Sequence, residues 1–290
     1  MKAINRAILP LALALAVALG GIAVQGVRAV SANAPAEPDG IELPIVMYHH
    51  VLKEQARLNK YTISPDEFRS DMEYLKTEGY TPIVIADLLA YVEEGAPLPE
   101  RPVMITFDDG YESFHEYVFP ILKEYDFKAV YSIVGRYADQ YSAVDDHHIR
   151  YSHSTWNELR EMRDSGLVEI QNHSYNLHSI DSGRKGAKKK AVESLVDYRT
   201  LLVEDVMKMQ TRMREETGYT PTAFVYPFGA VSSESLPILK ELGFQATLIC
   251  ESHINAITRD PECLYGLGRY RRPAKTGSEA FFKKILPKES

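Results

Sequence analysis

Short apolar runs alternate with longer stretches in which apolar residues recur at helical spacing, and this alternation extends over most of the chain. Continuous runs rich in β-branched and aromatic residues predict buried strands, whereas spacings of three and four residues predict helices. Strands are predicted at 45–48, 81–84, 103–107, 129–134, 168–172, 223–226 and 245–249. Helices are predicted at 65–78, 86–94, 112–123, 155–165 and 188–217. About seven such strand–helix units are typical of a parallel sheet covered by helices, either a barrel or a doubly wound sheet, and we favour an incomplete barrel.

Two of the predicted helices begin with a capping box. Ser64 is followed by Glu67, and Thr155 is followed by Glu158. In this motif the side chain of the capping residue accepts a hydrogen bond from the amide of the third helical residue, and the Glu side chain accepts one from the amide of the capping residue. The glycines that are predicted to end helices are Gly79, Gly95, Gly166 and Gly218.

The first 32 residues have the pattern of a targeting segment. Lys2 and Arg6 precede an uncharged, mostly apolar run over 7–24, and Val30-Ser31-Ala32 matches a small-residue cleavage site. We predict an export signal over 1–32. An uncleaved N-terminal membrane anchor is the alternative, because the run is just long enough to span a bilayer.

Residues 33–42 are predicted to be a linker, because two prolines and a glycine leave little to pack. Residues 43–290 are then predicted to form one domain outside the cytoplasm, either secreted or membrane-anchored, in the cell envelope or beyond it. Such a compartment is oxidising. Cys250 and Cys263 are therefore expected either to pair or to remain two isolated buried thiols.

Composition limits the classes of protein to which the chain can belong. The 290 residues are 45% hydrophobic and 25% charged, which is ordinary globular usage and excludes disorder, collagen and coiled coil. The net charge of −7 argues against a nucleic-acid partner, because nucleic-acid binders neutralise phosphates with basic residues. No Gly-rich phosphate loop follows a predicted strand, which argues against nucleotide binding. The sequence has no G-x-S-x-G elbow, so a serine nucleophile is not supported. We expect a monomer.

Four of the predicted strands end in unusual groups of polar residues. In parallel α/β folds the carboxyl ends of the strands meet at one edge, and functional residues gather there. The four groups are Tyr48-His49-His50, the segment 106–111, the segment 172–178 and Tyr226-Pro227-Phe228-Gly229. A single group of this kind is common in ordinary turns, but four of them at the same edge of the sheet indicate a functional site.

The residue types in these groups favour a catalytic metal ion. Asp108 and Asp109 follow a buried strand, and adjacent carboxylates repel unless a cation or a shared proton relieves them. One of the two can bind a metal while the other accepts a proton. His173 and His178, five residues apart beyond another strand, are better explained as ligands than as structural histidines. Two histidines and one aspartate leave coordination positions open, which indicates metal-assisted hydrolysis of an acyl group.

These motifs resemble those of the polysaccharide deacetylase superfamily, carbohydrate esterase family four, often called the NodB-homology domain. The motifs stand in the family's order as MYHHV at 47–51, TFDDGY at 106–111, WNELREMRDSGLVEIQNHS at 156–174 and YPFG at 226–229. The resemblance runs from about Leu43 to Pro273. It implies a distorted (β/α)7 barrel.

The resemblance also implies a role for each residue. Asp108 would be the catalytic base, and the backbone amide of Tyr111 would help to hold the oxyanion. A divalent metal ion, usually zinc with Co²⁺, Ni²⁺ or Fe²⁺ as alternatives, would be bound by Asp109, His173 and His178.

The chain departs from the family's commonest pattern in two places. Its second histidine follows the first by five residues instead of four, and Val225 stands where the family usually has an arginine. Both features resemble the subgroup that includes the biofilm poly-N-acetylglucosamine deacetylases, in which a late arginine serves instead, and Arg269 is the candidate. The family's leucine–histidine motif for the general acid is missing. The candidates for that acid are His49, His50 and His253, and His50 is the working assignment.

These observations lead to the hypothesis of an exported, metal-dependent hydrolase that removes N-acetyl groups from an aminosugar polymer, such as peptidoglycan or poly-N-acetylglucosamine. One alternative is an O-acetyl esterase that acts on xylan or another glycan, because the same metal site suits an amide or an ester. A second alternative is a catalytically silent glycan-binding module.

The remaining notable residues are expected to be structural. The basic groups Arg184-Lys185 and 188–190 are expected to be a solvated loop and helix start, with contact to an anionic wall polymer as the alternative. His147 and His148 lie in a polar segment and are expected to be exposed. Trp156 is expected to pack in the core.

Overall fold

A nine-stranded parallel sheet forms the centre of the protein. The computed structural model describes residues 40–287, so the predicted export segment 1–32 lies outside the described residues, as does the linker up to residue 39. None of the helices within 40–287 has both the length and the apolar character that crossing a bilayer requires.

The described chain contains fifteen strands and eight α-helices. The strands are β1 (Ile41–Leu43), β2 (Ile45–Tyr48), β3 (His50–Val51), β4 (Thr62–Ile63), β5 (Thr81–Ile83), β6 (Pro102–Phe107), β7 (Ala129–Ile133), β8 (Val168–Asn172), β9 (Ile180–Asp181), β10 (Arg184–Lys185), β11 (Ala223–Val225), β12 (Ala246–Leu248), β13 (Asn255–Ile257), β14 (Tyr265–Leu267) and β15 (Tyr270–Arg271). The helices are α1 (Pro65–Thr77), α2 (Ile85–Leu89), α3 (Phe119–Tyr125), α4 (Gly135–Ala143), α5 (Trp156–Asp164), α6 (Leu195–Thr217), α7 (Ser235–Glu241) and α8 (Ser278–Ile285). Short π-helical segments at Ala90–Glu94 and Phe114–Val118 adjoin α2 and α3.

The two edges of the main sheet are brought together by the chain itself. The strand order is β14-β12-β11-β8-β7-β6-β2-β15, and β5 pairs with the first half of β6. The outermost strands, β14 and β15, are separated along the chain by Gly268 and Arg269 alone. Three residue steps span at most about 11 Å, so the sheet must curve until its edges almost meet. The predicted incomplete, distorted barrel is confirmed.

The centre of the barrel wall is apolar on both faces. Every residue of β6 and β7 is buried, because one face of each strand lines the barrel and the other is covered by helices. This double burial explains why these strands are continuous apolar runs. In the strand register, β2 and β6 end level, with Tyr48 paired to Phe107, and β7 and β8 end level, with Ile133 paired to Asn172.

Both predicted capping boxes are confirmed, at Ser64 and Thr155. The predicted helix 188–217 is wrong at its start, because α6 begins at Leu195. The Ser194 hydroxyl accepts a hydrogen bond from the Asp197 amide and so caps the helix there. Val192, which precedes this start, is 96% exposed.

Several other elements differ from the sequence prediction. Arg184-Lys185, predicted as a loop, pairs with Ile180–Asp181 as a two-stranded hairpin. The helix predicted from residue 112 begins with the π-helical segment at Phe114. The sequence prediction missed eight short strands of two or three residues each: β1, β3, β4, β9, β10, β13, β14 and β15. The helices α4 and α8 were also not predicted.

A buried ion pair joins α1 to the segment after β15. Asp71 accepts hydrogen bonds from Arg272 Nε at 2.8 Å and Nη2 at 3.0 Å, and Tyr48 donates a third at 3.0 Å. Both charged side chains are almost completely buried. Asp71→Ala is therefore expected to lower the free energy of unfolding by about 3 kcal/mol, because it leaves a buried guanidinium without its counter-charge.

A matched control is Glu124→Ala, which removes the exposed partner of Arg69. Exposed pairs contribute at most about 1 kcal/mol, so this variant should unfold almost as the wild type does. Urea denaturation of both variants gives the comparison. Equal losses in the two would contradict the importance of the buried pair.

Candidate active site

A cavity of about 580 Å³ opens where the carboxyl ends of β2, β6, β8 and β11 meet. The sequence predicted that polar groups after these four strands would form a site, and each strand end contributes to the lining. The residues from these strand ends that line the cavity are His49, His50, Asp108, Asp109, Tyr111, His173, His178 and Phe228.

Three predicted metal ligands meet in this cavity. The Oδ1 atom of Asp109 lies 3.0 Å from Nε2 of His178 and 3.5 Å from Nε2 of His173. The Nδ1–H of His173 donates to the carbonyl oxygen of Val225 at 2.7 Å. That bond places the hydrogen on Nδ1 and leaves a lone pair on Nε2, the nitrogen that faces Asp109. A histidine needs this lone pair to bind a metal ion.

The donor set fits a divalent transition-metal ion. Despite its two close nitrogen neighbours, Asp109 Oδ1 is buried without a hydrogen-bond partner among residues 40–287. Ligand atoms of Asp109, His173 and His178 all lie within 4.8 Å of one another. Burial alone would raise the pKa of Asp109, but the two histidines outweigh it and hold that pKa well below its usual range. A carboxylate and two imidazoles directed at one point suit Zn²⁺, Co²⁺, Ni²⁺ or Fe²⁺.

A tight turn directs the two neighbouring aspartates to different partners. Asp109 has φ of 76° and Gly110 has φ of 82°, both in the left-handed region. A Cβ on Gly110 would lie 3.2 Å from Ile133, so the close approach to β7 also favours glycine there. The turn places Asp109 beside the histidines, while Asp108, the residue directly after the strand, contacts Arg269.

Asp108 is held by Arg269. Its two oxygens accept hydrogen bonds from Nη1 and Nη2 of Arg269 at 2.7 and 2.8 Å, and both side chains are buried. Arg269 Nε also donates to the Ile249 carbonyl at 2.9 Å. Burial acts to raise the pKa of Asp108, but the charge and hydrogen bonds of Arg269, together with His173 and His49, outweigh it, so the pKa lies below its usual value. Arg269 belongs to the two-residue connection between β14 and β15, so closure of the barrel positions it.

Tyr111 is fixed by contacts on both sides of its ring. The ring stacks on His50 at 4.1 Å and on His153 at 4.8 Å between centroids. Its carbonyl oxygen accepts a hydrogen bond from the Tyr131 hydroxyl at 2.7 Å. Within the described part of the chain its amide has no hydrogen-bond partner. That amide is therefore available to donate to a ligand.

The three histidines considered for the general acid differ in their surroundings. His50 Nε2 donates to the Arg150 carbonyl at 3.1 Å, and Nδ1 faces the Ser113 hydroxyl at 2.7 Å, so neither nitrogen is free. His253 is exposed and its ring packs against Gly268, outside the cavity lining. His49 lines the cavity, and its Nδ1 is buried without a partner among the residues described. The geometry therefore favours His49 over His50 as the acid.

The structure also tests the expectations for Trp156, for the adjacent histidines and for the two cysteines. Trp156 is 3% exposed and donates from Nε1 to Asp139 at 2.9 Å, so its packing role is confirmed. His147 and His148 are exposed, as expected. Cys250 and Cys263 are both free cysteines.

Several lining residues were not predicted from the sequence. Lys185, expected in a solvated basic group, also lines the cavity. Tyr61, Ile180 and Arg271 belong to short strands or turns without a motif, and the fold brings them to the cavity lining. The Arg271 guanidinium lies 5.1 Å from the centre of the Tyr61 ring. No local pattern in the sequence signals these positions.

The loop that carries both histidines is anchored to α6. Asp205 accepts hydrogen bonds from the amides of Tyr175 at 2.8 Å and Asn176 at 2.7 Å. Asp205→Ala is expected to weaken metal binding about tenfold, because partners that orient ligands typically contribute 10- to 100-fold. Competition with a chelator measures this affinity. The control is Glu204→Ala, an exposed neighbour on the same helix, and equal affinities in the two variants would contradict the positioning role.

The comparisons with known proteins agree with this geometry. A family model described as polysaccharide deacetylase matches residues 95–247, which is more than half of the chain. The chain belongs to the polysaccharide deacetylase family. The resemblance seen in the sequence motifs is confirmed.

Relatives in this deacetylase family include proteins acting on a specific polymer. The poly-β-1,6-N-acetyl-D-glucosamine N-deacetylase of Escherichia coli K12 is 31% identical over 225 residues, which cover 71% of this chain and 34% of that protein. The chain therefore matches about a third of the length of this relative.

Two solved structures in the same family share the fold. A de-N-acetylase from Aggregatibacter actinomycetemcomitans superposes with a TM-score of 0.73 at 28% identity, covering 85% of this chain and all of that one. IcaB from Ammonifex degensii gives a TM-score of 0.65 at 27% identity, covering 81% of this chain and 92% of that one.

Proposed function

We propose that this protein is a metal-dependent polysaccharide deacetylase that hydrolyses N-acetyl groups of an aminosugar polymer of the poly-N-acetylglucosamine or peptidoglycan type. The observation that carries the proposal is one cavity that contains the Asp109, His173 and His178 donor set beside the Asp108–Arg269 pair. The names of the relatives favour poly-β-1,6-N-acetyl-D-glucosamine as the polymer.

The reaction replaces the carbon–nitrogen bond of an acetamide with a carbon–oxygen bond from water. Asp108 accepts a proton from the attacking water, and its bidentate contact with Arg269 keeps the carboxylate ionised and oriented. The Tyr111 amide donates to the oxygen that gains charge as the carbonyl becomes tetrahedral. His49 delivers a proton to the departing nitrogen, so acetate and a free amine leave.

The metal ligands in this proposal are Asp109, His173 and His178. These residues would hold a divalent ion, which would supply Lewis acidity to polarise the acetyl carbonyl and to lower the pKa of water. The Val225 carbonyl holds the His173 ring in the orientation that such an ion needs. Zinc is the proposed ion, with Co²⁺, Ni²⁺ or Fe²⁺ able to use the same donors.

We also propose that the protein works outside the cytoplasm as a monomer. The support is the basic and then apolar pattern of residues 1–32, which is typical of an export signal or an anchor. The proposed partner is an acetylated polymer of the cell envelope, because such a polymer lies outside the cytoplasm and carries the acetyl groups that the proposed reaction removes.

Acetate release from a panel of polymers tests the function. Poly-N-acetylglucosamine, peptidoglycan glycan strands and acetylated xylan are each incubated with the protein, before and after treatment with a chelator and after re-addition of Zn²⁺. We expect acetate from an N-acetylated polymer, loss of release with the chelator, and recovery with the ion. Release from xylan alone would favour the O-acetyl esterase, and no release from any polymer would contradict an enzymatic role.

A further inference from the structure

A second group of potential metal ligands lies outside the proposed active site. Glu112, His147 and Glu158 each offer one ligand atom, and these atoms all lie within 4.8 Å of one another. They come from the turn after β6, the connection between α4 and α5, and the first turn of α5. The cluster shares no residue with the Asp109, His173 and His178 set.

Glu112 provides the strongest indication of a binding site in this cluster. Its side chain is 8% exposed, and its Oε1 is hydrogen-bonded to Nδ1 of His147. Its Oε2 is buried and has no hydrogen-bond partner within the described chain. A buried carboxylate oxygen without a partner is costly, so such an atom indicates a group that would satisfy it.

Glu158 is held in place by its role in the helix cap. Its Oε2 accepts hydrogen bonds from the Thr155 amide at 2.7 Å and the Thr155 hydroxyl at 3.0 Å. Its Oε1 lies 3.4 Å from Nδ1 of His115. The cap therefore fixes one carboxylate close to a second, largely buried one.

The electrostatics of the cluster suit a cation. Burial raises the pKa of Glu112, and the charge of Glu158 acts in the same direction, although the contact with His147 opposes both. Two neighbouring carboxylates repel each other when both are charged, and a positive ion between them removes that repulsion.

We propose that Glu112, His147 and Glu158 form a second binding site, for a divalent transition-metal ion such as Zn²⁺ or Mn²⁺. Two carboxylates and one imidazole form a mixed oxygen and nitrogen donor set that suits these ions. The His147 side chain is 55% exposed, which gives an ion a path from solvent.

The position of the site indicates a structural role beside the active-site cavity. The connection between α4 and α5 carries Arg150, whose carbonyl holds His50, and His153, which stacks on Tyr111. An ion shared by Glu112 and His147 would tie this connection to the residue that follows Tyr111. The second ion therefore stabilises one wall of the cavity without contacting the substrate.

Metal titration of variants that isolate each site tests the proposal. Metal-free full-length protein is titrated with ZnCl₂ and, separately, MnCl₂, and bound metal is counted by elemental analysis after desalting. We expect two equivalents for the wild type with at least one of these ions and one equivalent for His178→Ala. A double variant that combines His178→Ala with His147→Ala or Glu112→Gln should bind the ion at the second site at least about tenfold more weakly. Loss of a direct ligand should cost at least as much metal affinity as loss of a residue that only orients a ligand.

Two controls keep the result interpretable. His148→Ala changes the adjacent exposed histidine, which lies outside both clusters, and should retain two equivalents. His147→Ala alone should retain one equivalent at the first site, which shows that the variant is folded. The proposal is overturned if His178→Ala binds neither ion, or if the ion that it binds is unaffected by both second-site substitutions. Neither result depends on whether the protein deacetylates a polymer.

Discussion

Asp108→Asn is expected to lower acetate release by at least about a hundredfold while the metal content of the proposed active site is retained. The amide is almost isosteric with the carboxylate but cannot accept the proton of the attacking water. The metal ligands Asp109, His173 and His178 are untouched by the change. Acetate assays combined with elemental analysis measure both quantities on the same sample.

The structure adds a second consequence of this substitution. Asp108 is the bidentate partner of Arg269, which is completely buried, so the amide leaves that guanidinium without a counter-charge. We therefore expect a lower melting temperature as well as lower turnover. Turnover is measured well below that melting temperature, and circular dichroism at the assay temperature tests whether the variant is folded.

Asp109→Asn distinguishes the proposed roles from their exchange. If Asp109 were the base and Asp108 the ligand, Asp108→Asn would lose metal and Asp109→Asn would keep metal without turnover. The contacts of Asp109 with two imidazoles predict the opposite pattern. Wild-type turnover by Asp108→Asn would contradict the mechanism.

His178→Ala is expected to weaken metal binding at the active site by at least about a hundredfold, since removal of a direct ligand costs more than the 10- to 100-fold typical of outer partners. Nε2 of His178 lies 3.0 Å from Asp109 Oδ1, so the variant leaves two of three donors. Deacetylation should fall with the metal content and should be partly restored by a large excess of the ion. Elemental analysis should show one equivalent less than in the wild type.

The control for this prediction is His148→Ala, the same chemical change at an exposed residue that stacks on Tyr151. Its metal content and turnover should match those of the wild type. Equal metal content in His178→Ala and the wild type would show that His178 is not a ligand.

The local elements were predictable because their causes lie within a few residues along the chain. The capping boxes at Ser64 and Thr155 use a partner three positions away. Continuous apolar runs such as 103–107 indicate strands that are buried on both faces. The start of α6 was missed because apolar residues at helical spacing continue before it, while Ser194 provides a stronger local signal as the cap.

The residue types of the donor set were also predictable from the sequence. Carboxylates and imidazoles that follow parallel strands must gather at one edge of the sheet, since parallel strands present all their carboxyl ends there. The residues themselves indicated His173 and His178 as ligands, the family resemblance chose Asp109 instead of Asp108 as the third, and the geometry supports this set.

The sequence by itself determined the strand and helix pattern, the helix caps and the kind of chemistry at the strand ends, because each depends on neighbours or on strand direction. Only the tertiary structure decided that Arg269 reaches Asp108 across 161 positions, that His50 has no free nitrogen, and that Asp205 anchors the ligand loop. It alone assembled Glu112, His147 and Glu158 from three separate segments. These contacts follow from how the barrel closes and how its loops pack, and no spacing along the chain encodes that geometry.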